Sequence, residues 1–357
     1  MTDKALRNFD IERFQRTLID WYVKNKRDLP WRKTKDPYRI WVSEIMLQQT
    51  KVETVIHYYE KFMENYPTIF HLAEADEQKV LKDWEGLGYY QRARNLHEAV
   101  KEVVETYGGE VPQDPNDLAK LKGIGPYTKG AILSIAFGQP EPAVDGNVMR
   151  VFSRLLNIDD NILEQKTRRR FEAIVREVIA KDDPSSFNQG LMDLGATICI
   201  PRTPRCEVCP VQPYCRAYLE GKQHELPNRK KKAKHRTKQF VAVCLVNEKG
   251  EIAIEQREHK GLLASMWQFP MFEKDDVKKQ PLVELFEKKY GMKIAITEKL
   301  GNVKHVFSHL TWEIVVHKAS LEEHLPEGRH SLRFVSEKEL GHFPIATAHQ
   351  KMLRLIE

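Results

Sequence analysis

Four of the five cysteines, Cys199, Cys206, Cys209 and Cys215, fall in one short stretch, and Cys244 stands apart. The spacing Cys199-x6-Cys206-x2-Cys209-x5-Cys215 supplies four thiolates from a single loop. That is the ligand set of a tetrahedral zinc ion or of a cubane iron–sulfur cluster. Zinc sites usually pair two C-x2-C knuckles, whereas here one such pair is flanked by two outlying cysteines. The spacing therefore favours a [4Fe-4S] cluster, with zinc as the alternative. Pro201, Pro204, Pro210 and Pro213 make the segment a loop, which argues against four metal-free core cysteines. In a reducing compartment such clustering points to metal, not to disulfides.

Three further groups could do chemistry. In Leu121-Lys122-Gly123-Ile124-Gly125-Pro126-Tyr127-Thr128 two glycines separate helical segments. There, unhindered backbone N–H groups can meet a phosphate at a helix N-terminus, in a helix-hairpin-helix arrangement. The plainer reading is an ordinary Gly-Pro turn. Asp145 directly precedes a new apolar-periodic helix and reads locally as its N-cap. Glu44 lies on a helical segment where Glu44, Gln48 and Lys51 share one polar face, and sequence alone calls that face solvated.

Helices must position these groups. Phe14, Leu18, Trp21 and Tyr22 recur with helical spacing, and comparable stripes run near residues 45–62 and 90–106; an all-α domain over 1–225 follows. Residues 226–239 form a linker, because Asn228–Lys238 holds seven Lys or Arg in eleven positions and nothing apolar larger than alanine. Beyond it come β-rich runs at 240–246, 251–254 and 312–316, so 240–357 reads as a second, α+β domain. The 357 residues, 41% hydrophobic and 30% charged with a net charge of +6, exclude collagen-like and wholly disordered chains. The charge tilts modestly toward polyanionic partners. No run of apolar residues is long enough for a membrane span and no secretory pattern opens the chain, so a cytoplasmic protein is expected.

The cysteine loop, preceded by Phe187-Asn188-Gln189-Gly190-Leu191-Met192-Asp193-Leu194-Gly195, resembles the corresponding region of the endonuclease III superfamily of DNA glycosylases. Trp41-Val42-Ser43-Glu44-Ile45-Met46-Leu47-Gln48-Gln49-Thr50 resembles the matching segment of the MutY-type adenine DNA glycosylases. The resemblance implies a multidomain chain, with an all-α helix-hairpin-helix glycosylase carrying a [4Fe-4S] loop and a C-terminal Nudix-like domain. It implies hydrolysis of the N-glycosidic bond of adenine opposite 8-oxoguanine or guanine in double-stranded DNA, by a monomer acting at the nucleoid. By the same resemblance Glu44 protonates N7 of adenine and needs an apolar surround, for which Trp41, Ile45 and Met46 are available. Asp145 would stabilise the sugar cation or bond to it transiently, and Asn147 would support Asp145. Tyr127 stands where the strand-cleaving members carry a nucleophilic lysine, and it cannot form a Schiff base; Lys129 points elsewhere if 128–136 is helical. An abasic site left uncut is therefore expected, an endonuclease III-like lyase being the alternative. Gln48, Gln49, Tyr89, Gly123, Gly125 and Gln189 would contact DNA. Gln49 and Tyr89 would wedge into the base stack, and Gln189 would face the flipped base. Arg202, Arg205 and Arg216 would stand near phosphates.

Gly261 to Pro270 resembles the entry to a Nudix fold. When the glycine that ends the Nudix box is aligned with Gly291, the box arginine and its first glutamate fall on Glu284 and Leu285, and the metal-binding glutamates on Lys288 and Lys289. Cations then occupy the place of Mg²⁺ ligands, which disfavours a nucleotide hydrolase. A damage sensor that binds DNA without catalysis is the other competitor. Phe307, Ser308 and His309 resemble the loop that inspects 8-oxoguanine, although their alternation also suits a strand. Cys244 is expected in the core. A Ser hydroxyl beside an imidazole can read the N7–H and O8 that distinguish 8-oxoguanine from guanine. Replacing Ser308 and His309 together by alanine should shrink the ratio of adenine-release rates opposite these two bases, and an unchanged ratio would remove the assignment.

Overall fold

The computed structural model describes residues 3–230, 236–322 and 331–356. The chain divides into two compact units. One takes the described residues through Ala73 and from Glu98 to 230, the other Glu74–His97 with the described residues from 236 onward. Residues 231–235 of the expected linker lie outside the described residues, and its last four residues, from Arg236, already belong to a strand.

The first unit is helical, and aspartates start many of its helices. Asp10, Asp36, Asp114, Asp145 and Asp183 each accept a backbone N–H two or three residues on, satisfying donors that a helix start leaves unpaired. Of the stripe its spacing predicts, helix Ile11–Asn25 buries Phe14, Leu18 and Tyr22 and leaves Trp21 half-buried. Against it lies helix Pro184–Thr197. The helices approach closely at Gly190, where an added Cβ would come within 3.2 Å of Tyr22 Cβ and 3.3 Å of Leu18 Cγ. Edge-on ring contacts join Phe14 to Phe152 and Phe187 in this core.

The 45–62 stripe is two helices, Pro37–Leu47 and Val52–Asn65, with a break between them. Gln48 caps the first and Gln49 turns into the left-handed region at φ 58°. The polar face expected to join Glu44, Gln48 and Lys51 therefore does not form, because the helix stops before Gln48. Glu44 is buried, at 4% exposure, whereas the helical pattern alone calls it solvated and the resemblance implies an apolar surround.

In the second unit, seven strands form one sheet: β1 (Arg236–Val246), β2 (Ile252–Gln256), β3 (Trp267–Gln268), β4 (Met271–Glu273), β5 (Ile294–Val306), β6 (Leu310–Leu321) and β7 (Leu332–Val335). The order is β3-β2-β1-β6-β5, with β4 also pairing β1 and β7 pairing β2. β1 and β6 run parallel and the other pairs antiparallel. Alternation splits β1 between two cores. Ala242 and Cys244 join Trp312, Ala348 and Met352, while Val243 and Leu245 join Phe286 and Tyr290 of helix Leu282–Tyr290.

Residues 74–97 were expected with the first domain but group with this sheet. Trp267 Nε1 donates to Gln78 Oε1 at 2.9 Å, Ile345 N to Glu85 Oε1 at 2.9 Å, Lys82 Nζ to Phe343 O at 3.1 Å and Arg94 Nη1 to His259 O at 3.0 Å. Polar side chains reaching loop backbone make this association, and no hydrophobic period in the sequence could announce it. Among the described residues no helix is long and apolar enough to cross a membrane.

Helix Pro126–Ile135 passes so near residue 142 that a Cβ on Gly130 would lie 2.0 Å from Pro142 O. The obstacle is backbone, which cannot rotate away. Gly130→Ala should cost about 3 kcal/mol or more, seen as a lowered thermal unfolding midpoint in calorimetry; an unchanged midpoint would mean that the close approach is not held.

Candidate active site

A cavity of about 590 Å³ in the first unit gathers most of the residues singled out in the sequence. Glu44, Gln48, Gln49, Gly123, Gly125, Tyr127, Asp145, Asn147 and Gln189 all line it. Four helices and the turns at their ends supply them: Pro37–Leu47, Pro126–Ile135, Gly146–Leu155 and Pro184–Thr197.

At its centre Tyr127 Oη donates to Glu44 Oε2 at 2.7 Å and also approaches Met192 Sδ at 3.8 Å. Burial pushes the Glu44 carboxyl up to about 7; Asp145 adds to this, while the Tyr127 hydrogen bond and the Arg32 charge oppose it. Burial, reinforced by the two neighbouring carboxyls, keeps the Tyr127 phenol protonated far above its usual range, so it acts as a donor. The apolar lining comes from Ile40, Leu47, Ile135, Val144 and Met192. Trp41, Ile45 and Met46 were expected to fill this role; they are buried but do not line the cavity.

Asp145 caps its helix, accepting from Val148 N at 2.8 Å through Oδ1, while Oδ2 accepts from Asn147 Nδ2 at 2.9 Å. Burial raises its pKa, and these hydrogen bonds with the nearby Arg150 charge hold the rise back. Capping and a place in the cavity thus coexist in one side chain. Asn147 is itself held by Arg150 Nη2 at 2.9 Å, and the same nitrogen donates to Gly195 O at 2.8 Å. Arg150 Nε reaches Cys199 O at 2.8 Å. One helical turn further, Arg154 donates to Cys199 Sγ at 3.3 Å, Ile200 O at 2.9 Å and Pro201 O at 2.8 Å. A chain of hydrogen bonds therefore runs from the cysteine loop to Asp145.

The four loop cysteines are free thiols that line one small cavity of about 30 Å³. Burial pushes Cys209 up to about 12 and Cys215 up to about 11, against backbone hydrogen bonds that lower both. Four thiolates here thus require a cation among them, and an all-sulfur donor set beside Arg154 suits a thiolate-ligated metal group. Among the described residues no three or more His, Cys, Asp or Glu side chains form a group that could hold a metal ion, so the fit rests on donor chemistry and the shared cavity. Arg202 and Arg205 are exposed. Arg216, expected near phosphates, instead donates to Ala5 O at 2.7 Å and Arg7 O at 2.6 Å; these bonds spend its guanidinium on the N-terminal segment.

Gly123 has φ +83°, a conformation only glycine adopts freely. A Cβ on Gly125, the cap of helix Pro126–Ile135, would meet nothing within 4 Å, so its missing side chain leaves an open approach to the helix start. Lys129 pairs with Glu141 at 3.7 Å and is not part of the cavity lining. Gln48 donates to Thr128 Oγ1 at 3.2 Å, and Gln189 to Ser185 Oγ at 3.1 Å. The sequence reading missed Arg27, Trp31 and Arg32 on the cavity wall, and Asp193 behind them. Asp193 was in view within Phe187–Gly195, four residues after Gln189, but nothing local told it from a solvated polar residue.

Tyr89 falls in the second unit. It and Gln49, the two expected wedge residues, both hold left-handed backbone, at φ 48° and 58°, a strain found at functional sites. Phe307, Ser308 and His309 are the turn between β5 and β6, not strand, and Phe307 N donates to Leu310 O across it at 2.7 Å. Ser308 and His309 are exposed. With Tyr89 they border a cavity of about 470 Å³, and Tyr89 Oη hydrogen-bonds Ser308 Oγ. At the former Nudix box, Lys289 Nζ lies 3.0 Å from Glu255 Oε2, whose carboxylate also accepts from Tyr290 Oη and Gln268 Nε2.

Fold and cavity together define a helix-hairpin-helix DNA glycosylase joined to a Nudix-type domain. Residues 42–177 match the HhH-GPD superfamily of base excision DNA repair proteins, and residues 241–355 match the NUDIX domain. A solved structure of a thermostable thymine-DNA glycosylase superposes with a TM-score of 0.54 at 32% identity, covering 59% of this chain and 97% of that one. The adenine DNA glycosylase of Rattus norvegicus is 35% identical over 98% of this chain and 78% of its own length. That of Buchnera aphidicola subsp. Baizongia pistaciae is 35% identical over 86% of this chain and 88% of its own. The chain belongs to the adenine DNA glycosylase family.

Gly195 lets Asn147 stand where it does, since a Cβ there would lie 2.9 Å from Asn147 Cβ and 3.6 Å from Arg150 Nη2. Gly195→Ala should displace Asn147 from Asp145 and slow single-turnover base release about tenfold to a hundredfold, with duplex binding retained. A parental rate would show that Asn147 does not position Asp145.

Proposed function

We propose that the protein removes adenine paired with 8-oxoguanine, and more slowly adenine paired with guanine, from double-stranded DNA, and leaves an abasic site. The observation that carries this reading is one cavity in which a carboxyl titrating near 7, Glu44, stands with Tyr127 beside a helix-capping aspartate, Asp145.

The flipped adenine enters with N7 toward Glu44. Tyr127 already donates to Oε2, which leaves Oε1 to carry the acidic proton. Transfer of that proton to N7 draws electrons into the base, and the bond from N9 to C1′ breaks. The sugar is left as an oxocarbenium cation, which the Asp145 carboxylate stabilises while Asn147 and Val148 N–H fix its position. Water adds at C1′ and gives up a proton to a cavity carboxylate, and neutral adenine departs. No lysine is among the residues lining the cavity, so no Schiff base with C1′ forms and the strand stays intact.

Gly123 and Gly125 offer backbone N–H groups to a phosphate, Gln49 and Tyr89 enter the base stack, and Gln189 meets the base edge. Phe307, Ser308 and His309 inspect the opposite base. Cys199, Cys206, Cys209 and Cys215 would hold a [4Fe-4S] cluster, which supplies a structural cross-link and takes no part in the hydrolysis. The protein acts as a monomer, in the cytoplasm at the nucleoid.

The test is single-turnover adenine release from duplexes pairing A with 8-oxoguanine, G or T, each product split and run with and without alkali. Release should be fastest opposite 8-oxoguanine, with strand breaks only after alkali. A raised acid works while protonated, so the rate should fall as pH rises through about 7. Glu44→Gln should lose about a hundredfold or more. Strand breaks without alkali, or a Glu44→Gln enzyme at parental rate, would overturn the mechanism.

A further inference from the structure

Behind the base cavity lies a buried ionic cluster that the mechanism above does not use. Asp193, on helix Pro184–Thr197, has a side chain only 2% exposed. Its Oδ1 accepts from Arg27 Nε at 2.8 Å, Arg27 Nη2 at 2.6 Å and Arg32 Nη2 at 2.9 Å. Its Oδ2 accepts from Arg32 Nη1 at 2.7 Å and Arg27 N at 3.4 Å. The two arginines leave the segment after the first helix and both line the cavity that holds Glu44. Arg32 is also fixed over the Tyr22 ring, 5.4 Å from its centroid, and through Nη1 to Arg27 O at 3.2 Å.

Such a cluster is costly unless each charge is matched. Two guanidinium groups lining one cavity with an acid create a conflict, because an unmatched cation there favours the Glu44 carboxylate and would strip the proton the reaction needs. The charged and titratable groups that act on Glu44 are Tyr127, Asp145 and Arg32, and Arg27 and Arg168 line the same cavity. Those around Arg32 are Asp193, Tyr22 and Glu44 itself, with Arg27 and Asp183 the further neighbours of Tyr22. Among these, Asp193 is the anion bonded to both arginines.

We propose that Asp193 is a positioning residue for the reaction: its buried carboxylate holds Arg27 and Arg32 at the wall of the base cavity and cancels much of their charge there, so that Glu44 keeps the proton it must donate. The inference rests on Glu44 being the acid, as argued above. Burial works against the Asp193 carboxylate, but the hydrogen bonds and charges of Arg32 and Arg27 prevail and hold it below its ordinary range. It therefore stays an anion wherever Glu44 is titrating. Two substitutions should move the alkaline limb in opposite directions. Asp193→Asn leaves both cations unmatched and lowers the pH at which Glu44 loses its proton. Arg32→Gln removes the cation facing Glu44 and raises it, while Asp193 retains Arg27 as a partner.

The experiment is the pH profile of single-turnover adenine release by the full-length protein and by Asp193→Asn, Arg32→Gln, Asp193→Glu and Glu44→Gln. The alkaline limb should move down by about one pH unit in Asp193→Asn and up by a similar amount in Arg32→Gln. It should stay at the parental position in Asp193→Glu. If both variants slow the reaction by one factor at every pH, the cluster is merely structural and the inference fails. Should Asp193→Asn not fold, Arg32→Gln decides alone: an upward limb sustains the inference and an unmoved one ends it. A parental profile without an alkaline limb, or one in which the limb survives Glu44→Gln, overturns the assignment of Glu44. A limb that requires Glu44 but ignores both variants overturns only the role of Asp193.

Discussion

The candidate site depends on two buried carboxyls held in different hydrogen-bonding environments within a single cavity. Burial alone would push both toward the neutral acid, and it does raise both Glu44 and Asp145. Hydrogen bonding makes the difference between them. Glu44 receives one, from a phenol that is itself protonated, and the Coulomb effect of Asp145 adds to the rise. Asp145 receives a backbone N–H and an amide N–H, with a guanidinium one residue further away. The two acids thus face different balances of burial and hydrogen bonding, as an acid and an electrostatic stabiliser sharing a site would need.

That differentiation has to be built from outside the cavity. Helix Gly146–Leu155 does so by carrying Asp145 at its start, Asn147 in its first turn, and Arg150 and Arg154 one helical turn apart. The side chains of the two arginines are spent on carbonyl oxygens, a thiol and an amide, and each satisfies backbone of the cysteine loop. Buried guanidinium groups are tolerated only when their donors are matched, so the loop conformation and the pose of Asn147 constrain each other. A metal group holding four cysteines in place would then stabilise the catalytic geometry without touching substrate. This gives a physical role to an expensive loop on a unit whose aromatic core is already closed.

What could be read from sequence follows how local each determinant is. The helical stripe at Phe14, Leu18 and Tyr22, the β-rich run of β1 and the glycine turn before Tyr127 were legible, because periodicity, side-chain branching and backbone freedom are properties of neighbouring residues. The local pattern calls Glu44 solvated while the resemblance implies an apolar surround; Glu44 is buried, and the expected Trp41, Ile45 and Met46 do not line its cavity. The helix ends at Leu47, and the cavity that Glu44 lines is closed by Ile135, Val144 and Met192 from other elements. Arg216 looked available for phosphates because its bonds to Ala5 O and Arg7 O span the length of the first unit. Asp193 was invisible for a related reason: its partners Arg27 and Arg32 lie more than 150 residues away in sequence. Residues 74–97 joined the second unit through polar contacts to loop backbone, which leave no period to detect.

The second unit shows how a fold can keep its frame while its chemistry moves. The helix that would bear metal-binding glutamates survives, ending at Gly291 with φ +69° as a C-terminal cap requires. Lys289 supplies a positive charge there, held by the Glu255 carboxylate, on which Tyr290 Oη and Gln268 Nε2 also converge. With this end saturated, the exposed hydrogen-bonding groups that sequence had singled out lie elsewhere, at the β5–β6 turn beside Tyr89. Ser308 and His309 stand on a turn of three residues between two long paired strands, so their positions are set by a rigid hairpin. A group that reads bases needs its donors fixed before the base arrives, and a short turn between two long paired strands meets that condition.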